Sequence, residues 1–294
     1  MLNDPEITVI KKGDKLYPKL LNQIPDAPDK LFVMGDLAVL DQNVVAIVGS
    51  RKPTDYGIQS ATHFARGLAR DLVIISGLAY GIDTIALKEA LATKGLPPVA
   101  VIGSGLDRES FYPQANWGLA LKIIAAGGAI ISEYSSGTSP LKYHFPARNR
   151  IIAGLSKGVL VVEAAERSGA LITADLALDY NREVLAVSGS IFVPQAAGVN
   201  QLIKSGAHMV TTPVDIFNVL NIEPKLHNFL TSESFNNMTE LELNIFNSLV
   251  EEALSIDDIA RKLQLDSAKV SSTLTLMEIN GMVRSTSTGK FNKL

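Results

Sequence analysis

Val44 to Gly57 reads VVAIVGSRKPTDYG. Its first five residues are apolar and mostly β-branched, the composition of a strand buried on both faces. Gly49-Ser50-Arg51 follows at once, and helical spacing resumes at Tyr56. The stretch therefore reads as a buried parallel strand, a tight turn bearing a guanidinium, and a helix start. Glycine in such a turn lets the backbone approach a ligand, and the helix start presents unpaired N–H groups. Arg51 adds a fork of donors matched to phosphate oxygens. The same residues also suit a plain strand-to-helix turn with a surface arginine, because neither the G-x-G-x-x-G fingerprint nor the Walker lysine is present. Taken alone, the stretch leaves both readings open.

Outward from it, the pattern repeats. Strand-like runs fall at 44–48, 72–76, 98–102, 129–132, 158–162, 184–188 and 207–210, with helical spacing at 55–70, 82–94, 114–127, 147–156, 170–181 and 199–205. Strands alternating with helices of about 10–15 residues predict an α/β fold with a parallel sheet covered on both faces. Right-handed crossovers then gather every strand-to-helix loop on one edge of the sheet. Those loops carry Gly49-Ser50-Arg51, Ser76-Gly77, Gly103-Ser104-Gly105, Ser132-Glu133 and Glu163 through Ser168-Gly169. Ligands of doubly wound sheets sit at this edge, so four Gly- or Ser-rich turns on one rim, one with an arginine, favour an anionic ligand.

A second cluster, LKYHFPARNR, spans 141–150. Cations interleaved with aromatics suit single-stranded nucleic acid, since bases stack on rings while Lys and Arg take phosphates. The segment packs Lys142, Tyr143, His144, Phe145, Arg148 and Arg150 into ten residues. Arg148 and Arg150 stand about 200° apart around a helix, so both cannot face one ligand. One is expected to bind and the other to brace the sheet edge, against Glu163 or Glu133. Ser168 is a natural helix N-cap. Glu163 could serve as a base, a partner for ribose hydroxyls or, the favoured reading, a counter-ion for a rim arginine. No histidine comes with a motif that would make it a catalytic base, and no catalytic residue is assigned.

The 294 residues are 47% hydrophobic with a net charge of −3, so the chain is globular and any site for a polyanion must be local. With no cysteine, disulfides, thiolate zinc sites and a cysteine nucleophile are excluded. The four histidines show no metal-ligand spacing, and neither metal nor cofactor is expected. The N-terminus lacks a signal pattern and no apolar run approaches spanning length, so membrane insertion is not expected and the cytoplasm is. Residues 1–43 read as a short lead-in at the edge of the core, 44–221 as the large domain and 222–238 as a polar linker. Residues 239–294 carry three helical patterns and a hairpin signal, the order of a winged helix-turn-helix. Six cations against eight acids leave that small domain at −2, which argues against strong phosphate-driven duplex binding.

With these pieces in view, the chain resembles the DNA-processing protein A family, also called DprA or Smf. The resemblance is carried by VAIVGSRKPTDYG (45–57), ISGLAYGID (75–83), the GSGLD…YP…N run from Gly103 through Tyr112-Pro113 to Asn116, ISEYSSG (131–137), FPARNRIIAGLS (145–156), VVEAAERSGALIT (161–173) and GVNQLIKSGA (198–207). It implies an extended Rossmann-like domain that binds single-stranded DNA without base specificity, loads the RecA recombinase in natural transformation, and works as a homodimer. It assigns DNA contacts to Gly49, Ser50, Arg51, Lys142, Phe145 and one of Arg148 and Arg150, with Ser168, Gly169 and Asn200 in the same pocket. The dimer and RecA surface is expected around Val210–Leu220. Many members carry an N-terminal helical domain, where only a short lead-in is expected here, and Leu87 stands where the family usually has histidine. Two other readings compete. One is a nucleoside-monophosphate hydrolase on a related Rossmann fold, although EAAERSGALIT replaces its PGGxGTxxE loop. The other is a duplex-reading regulator acting through the winged domain.

Overall fold

The computed structural model describes residues 5–224, 239–249, 253–279, 282–286 and 289–293. It divides into two compact units, Met1–Pro224 and Lys225–Leu294.

The large unit is built on one nine-stranded sheet. Its strands are β1 (Thr8–Lys11), β2 (Lys30–Gly35), β3 (Val44–Val48), β4 (Val73–Ser76), β5 (Val99–Ile102), β6 (Ala129–Ser132), β7 (Gly158–Val161), β8 (Glu183–Val187) and β9 (His208–Val210). Their spatial order is β1-β2-β6-β5-β4-β3-β7-β8-β9. From β6 to β9 every pairing is parallel, whereas β1 and β2 are antiparallel additions. The chain leaves β3 towards β4 on one side and returns with β7 on the other, so the gap between β3 and β7 is the topological switch point.

The helices between the strands are α1 (Asp55–Leu68), α2 (Ile82–Ala92), α3 (Trp117–Ala125), α4 (His144–Leu155), α5 (Gly169–Asp179), α6 (Ala197–Lys204) and α7 (Pro213–Val219). Alternate residues of β3 face opposite layers. Val44, Ala46 and Val48 pack with Ile151 of α4 and Ala174 of α5, while Val45 and Ile47 pack with Phe64 and Leu68 of α1. Every residue of β3 is buried, as its unbroken apolar run requires.

The lead-in is more than an edge piece. β2 carries four consecutive buried residues, Leu31 to Met34, and sits between β1 and β6. Leu31 and Val33 join one layer of the core, Phe32 and Met34 the other. Helix α4 begins three residues before the expected start at 147, with Pro146 inside its first turn. Proline is tolerated there because first-turn N–H groups have no intrahelical acceptor.

The small unit contains α8 (Glu240–Ser248), α9 (Ile256–Leu263), α10 (Ser267–Ile279) and a three-stranded sheet of order β10-β12-β11, with β10 Leu254–Ser255, β11 Val283–Ser285 and β12 Lys290–Lys293. Ser255 and Asp258 form the expected capping box: the Asp258 amide donates to Ser255 Oγ at 3.2 Å, and the Ser255 hydroxyl donates to Asp258 Oδ2 at 2.7 Å. Ile245, Ile259, Val270 and Leu274 form its buried centre. Most of the expected linker, residues 225–238, lies outside the described residues, as does Gly281.

Candidate functional site

A pocket lies at the C-terminal ends of β3, β4 and β5, where α4 begins. Arg51, Gly77, Tyr80, Gly103, Phe145 and Arg148 are among its lining residues. Four separate segments, distant in sequence, meet there because all follow strands of one parallel sheet.

The turn after β3 is held from both sides. The Ser50 amide donates to the Glu163 carbonyl at 2.7 Å, and the Ile82 amide donates to the Ser50 carbonyl at 3.1 Å. Gly81, at φ +78°, lets the start of α2 press against this turn; a Cβ there would stand 2.2 Å from the Ser50 carbonyl oxygen. Arg51 is exposed and makes no ion pair within 4 Å among the described residues. Its guanidinium carbon lies 5.5 Å from the centroid of the Phe145 ring, a cation–π contact that aims it over the pocket. The Phe145 ring in turn lies 5.5 Å from that of Tyr112, and both residues line the pocket.

Arg148 forms the wall beneath. It is 5% exposed, and its Nη1 donates to the Gly77 carbonyl at 2.6 Å and also to the Val101 carbonyl. A side chain on Gly77 would collide with this guanidinium, since a Cβ would fall 2.6 Å from Nη1. Buried Asp83 accepts from the Gly77 amide at 3.1 Å and the Ala79 amide at 3.4 Å, shaping the loop that opens on the pocket. Burial pushes the Asp83 carboxyl up, with Arg148 pulling it back. Burial pulls Arg148 down to about 10, with Asp83 opposing and Arg51 adding to the fall, so it remains charged at neutral pH. Two cations thus converge on one pocket, and the charge nearest Arg148 from below belongs to a carboxyl that the fold disfavours ionising.

The remaining candidates separate. Lys142 is exposed in the approach to α4 and makes no ion pair among the described residues. Arg150 faces away from Arg148, as its helical offset requires: it binds Glu133 at 2.6 Å and Asp26 at 3.6 Å. Glu133 was one of its two expected partners. Ser168 caps α5, its Oγ accepting from the Ala170 amide, and the Gly169 carbonyl accepts from Asn149. Asn200 clamps the loop after β8, accepting from the Gly189 amide and donating to its carbonyl. Neither Asn200 nor the Ser168-Gly169 turn lines the pocket of Arg51.

Glu163 is no counter-ion. Its carboxylate accepts the Thr54 hydroxyl at 2.5 Å and the Thr54 amide at 3.2 Å, which ties the end of β7 to the start of α1. His144 is buried and stacked on Tyr134 at 3.9 Å. Sequence reasoning assigned no role to Tyr80, Tyr112 or Asp83. Tyr80 and Asp83 lie in ISGLAYGID, and an aspartate one turn after a glycine-rich loop was the available signal. Among the described residues no helix is long and apolar enough to cross a membrane, and no three His, Asp or Glu side chains cluster as a metal site.

Fold and pocket together define a Rossmann-like protein whose rim pocket is lined by two arginines. The family model described as DNA recombination-mediator protein A matches residues 8–221, and one described as DprA winged helix domain matches 236–289. The chain belongs to the DNA recombination-mediator protein A family. It is 48% identical over 203 residues to DNA processing protein DprA of Streptococcus pneumoniae, covering 69% of this chain and 71% of that one. The X-ray structure of DNA processing protein A from that species is similar at a TM-score of 0.68, with 44% identity and 76% of each chain covered. A structure of DNA processing protein A from Helicobacter pylori, described by its single-stranded DNA binding mode, is similar at a TM-score of 0.65. Identity is 32%, over 74% of this chain and 96% of that one.

Proposed function

We propose that this chain binds single-stranded DNA without base specificity and mediates recombination, delivering the strand to the RecA recombinase during natural transformation. The observation that carries the reading is the pairing of exposed Arg51 with buried Arg148 in one pocket flanked by Phe145 and Tyr112. Cations take phosphates and rings take bases, and neither interaction reads base identity. The family, and the H. pylori relative described by its single-stranded DNA binding mode, support it.

The chain acts as a homodimer in the cytoplasm and without catalytic turnover in this reading. The engagement of Glu163 with Thr54 weighs against the hydrolase alternative, because that carboxylate braces a helix start. The test compares labelled oligo-dT with a duplex of equal length in filter binding. A marked preference for the single strand is expected, and equal affinity for both would overturn the proposal. Stimulated RecA assembly on the bound strand, a dimeric mass in solution, and no free base released from nucleoside monophosphates are the further outcomes it requires.

A further inference from the structure

A second cavity, of about 590 Å³, opens on the other side of the switch point. It shares no lining residue with the pocket of Arg51. Thr54 and Asp55 at the start of α1, Val162 and Glu163 after β7, and Val193 and Val199 around the loop into α6 form most of its wall. The volume falls within the range of small-molecule sites, roughly 300–1,000 Å³. We propose that this cavity is a pocket for a nucleobase bearing an exocyclic amino group.

The chemistry of the lining selects that class. No Lys or Arg lines the cavity; its two carboxylates are Asp55 and Glu163, and the hydroxyl of Tyr56, also in the lining, is spent on the Ser188 carbonyl. Phosphate is therefore repelled and hydrogen-bond donors are welcome. Glu163 is 3% exposed, and its Oε2 is engaged by the Thr54 hydroxyl, whereas Oε1 accepts only the Thr54 amide, at 3.2 Å, shared with Oε2. A carboxylate offers about four acceptor sites, so Oε1 retains capacity for a donor on the ligand. The valines supply flat apolar contact for the ring faces. Adenine, cytosine and guanine present amino groups to such an acceptor. Thymine and uracil flank their ring N–H with two carbonyl oxygens, which a carboxylate repels.

The mouth carries a matching feature. Ile191 and Phe192 are 82% and 87% exposed at the centre of a turn closed by the Val193 amide on the Ser190 carbonyl at 3.1 Å. Ser190 and Val193, which bracket them, both line the cavity. Phe192 lies in the loop that borders the cavity, and its exposed ring is the partner the proposal assigns to a base seated there. The ring comes from a free nucleoside, since a strand held in the adjacent pocket is bound without regard to base.

Calorimetry with the full chain and adenosine, cytidine and uridine is the test. Adenosine and cytidine are expected to bind about tenfold or more tighter than uridine. Val193→Trp, which fills the cavity, should abolish nucleoside binding while oligo-dT affinity stays native, and that native affinity is also the check on folding. Phe192→Ala, at an exposed position that cannot disturb the core, should weaken adenosine by about fivefold or more. Oligo-dC and oligo-dT are expected to bind equally; a preference for oligo-dC that Val193→Trp removes would overturn the assignment of the cavity to a free nucleoside. Nucleosides that do not bind, or that bind both variants as well as they bind the native chain, overturn the proposal. Loss of oligo-dT binding by the native chain would instead refute the anion pocket.

Discussion

Replacing Arg51 by alanine isolates the anion pocket. Arg51 is exposed, makes no ion pair among the described residues, and touches the fold mainly through its 5.5 Å approach to Phe145. Stability should therefore change by no more than about 0.5 kcal/mol. Binding should change far more. One charge-assisted hydrogen bond to phosphate contributes about 1.5–3 kcal/mol, which is roughly a 10- to 160-fold rise in Kd. Removing one phosphate contact from a single strand should also flatten the plot of log K against log salt by about 0.7. Fluorescence anisotropy of labelled oligo-dT across a salt series reads both quantities, and a parallel denaturation curve reads the first. A loss of affinity with an unchanged salt slope would mean that Arg51 acts by holding Phe145. An unchanged Kd would refute the placement of phosphate at this turn.

Phe145→Ala should cost about 1–3 kcal/mol of oligo-dT affinity if its ring stacks a base, and an unchanged Kd would leave it a purely packing residue. Arg148→Ala should destabilise the fold by about 3–5 kcal/mol in urea unfolding, because it strands the buried Asp83 without its compensating charge. Folding holds the Asp83 carboxyl above its ordinary value, so stability from this group is full below the unfolded carboxylate range and is lost as pH rises through the folded value. Losing Arg148 pushes that value higher still, and the deficit of Arg148→Ala should be smaller at about pH 5 than at about pH 8. Asp215 has the opposite sign: amide bonds from Thr211 and Thr212, both 2.8 Å, hold it below the usual carboxylate range. Its contribution to α7 is present above the unfolded carboxylate value and lost as pH falls through the folded one. Asp215→Asn should lower stability at neutral pH, and the deficit should shrink as pH falls through the folded value.

Much of the sheet was legible because its strands are short, buried on both faces and separated by amphipathic helices. The run at 44–48 and those at 129–132 and 158–161 read directly as strands, since a parallel strand covered on both sides leaves no polar alternation to misread. The antiparallel insertion of β2 was not legible. Leu31 to Met34 has the composition of any buried strand, and nothing local specifies which neighbour it joins. Helical geometry settled which of Arg148 and Arg150 lines the pocket only once the direction of α4 was known, because a 200° separation says that they differ and not which one faces in. Glu163 was misassigned for a related reason. Its partner Thr54 is 109 residues away and offers a hydroxyl, so charge alone pointed to an arginine.

The misassignment has a consequence for the path of the strand. At the switch point the rim is closed: the Val162 amide bonds the Val48 carbonyl, the Ser50 amide bonds the Glu163 carbonyl, and the Glu163 side chain grips Thr54. On one side of this seam the lining groups include Arg51 and Arg148; on the other they include Asp55 and Glu163. A polyanion crossing from the first side to the second would leave two guanidinium groups for two carboxylates, and like charges within a few ångströms in a partly buried site cost far more than they do in bulk water. In the proposed reading the phosphates therefore keep to the side of β3, β4 and β5, even though the sheet edge runs on to β9. A chain of net charge −3 can hold a polyanion because charge acts locally: Arg51 and Arg148 share one pocket, while Asp55 and Glu163 line the other.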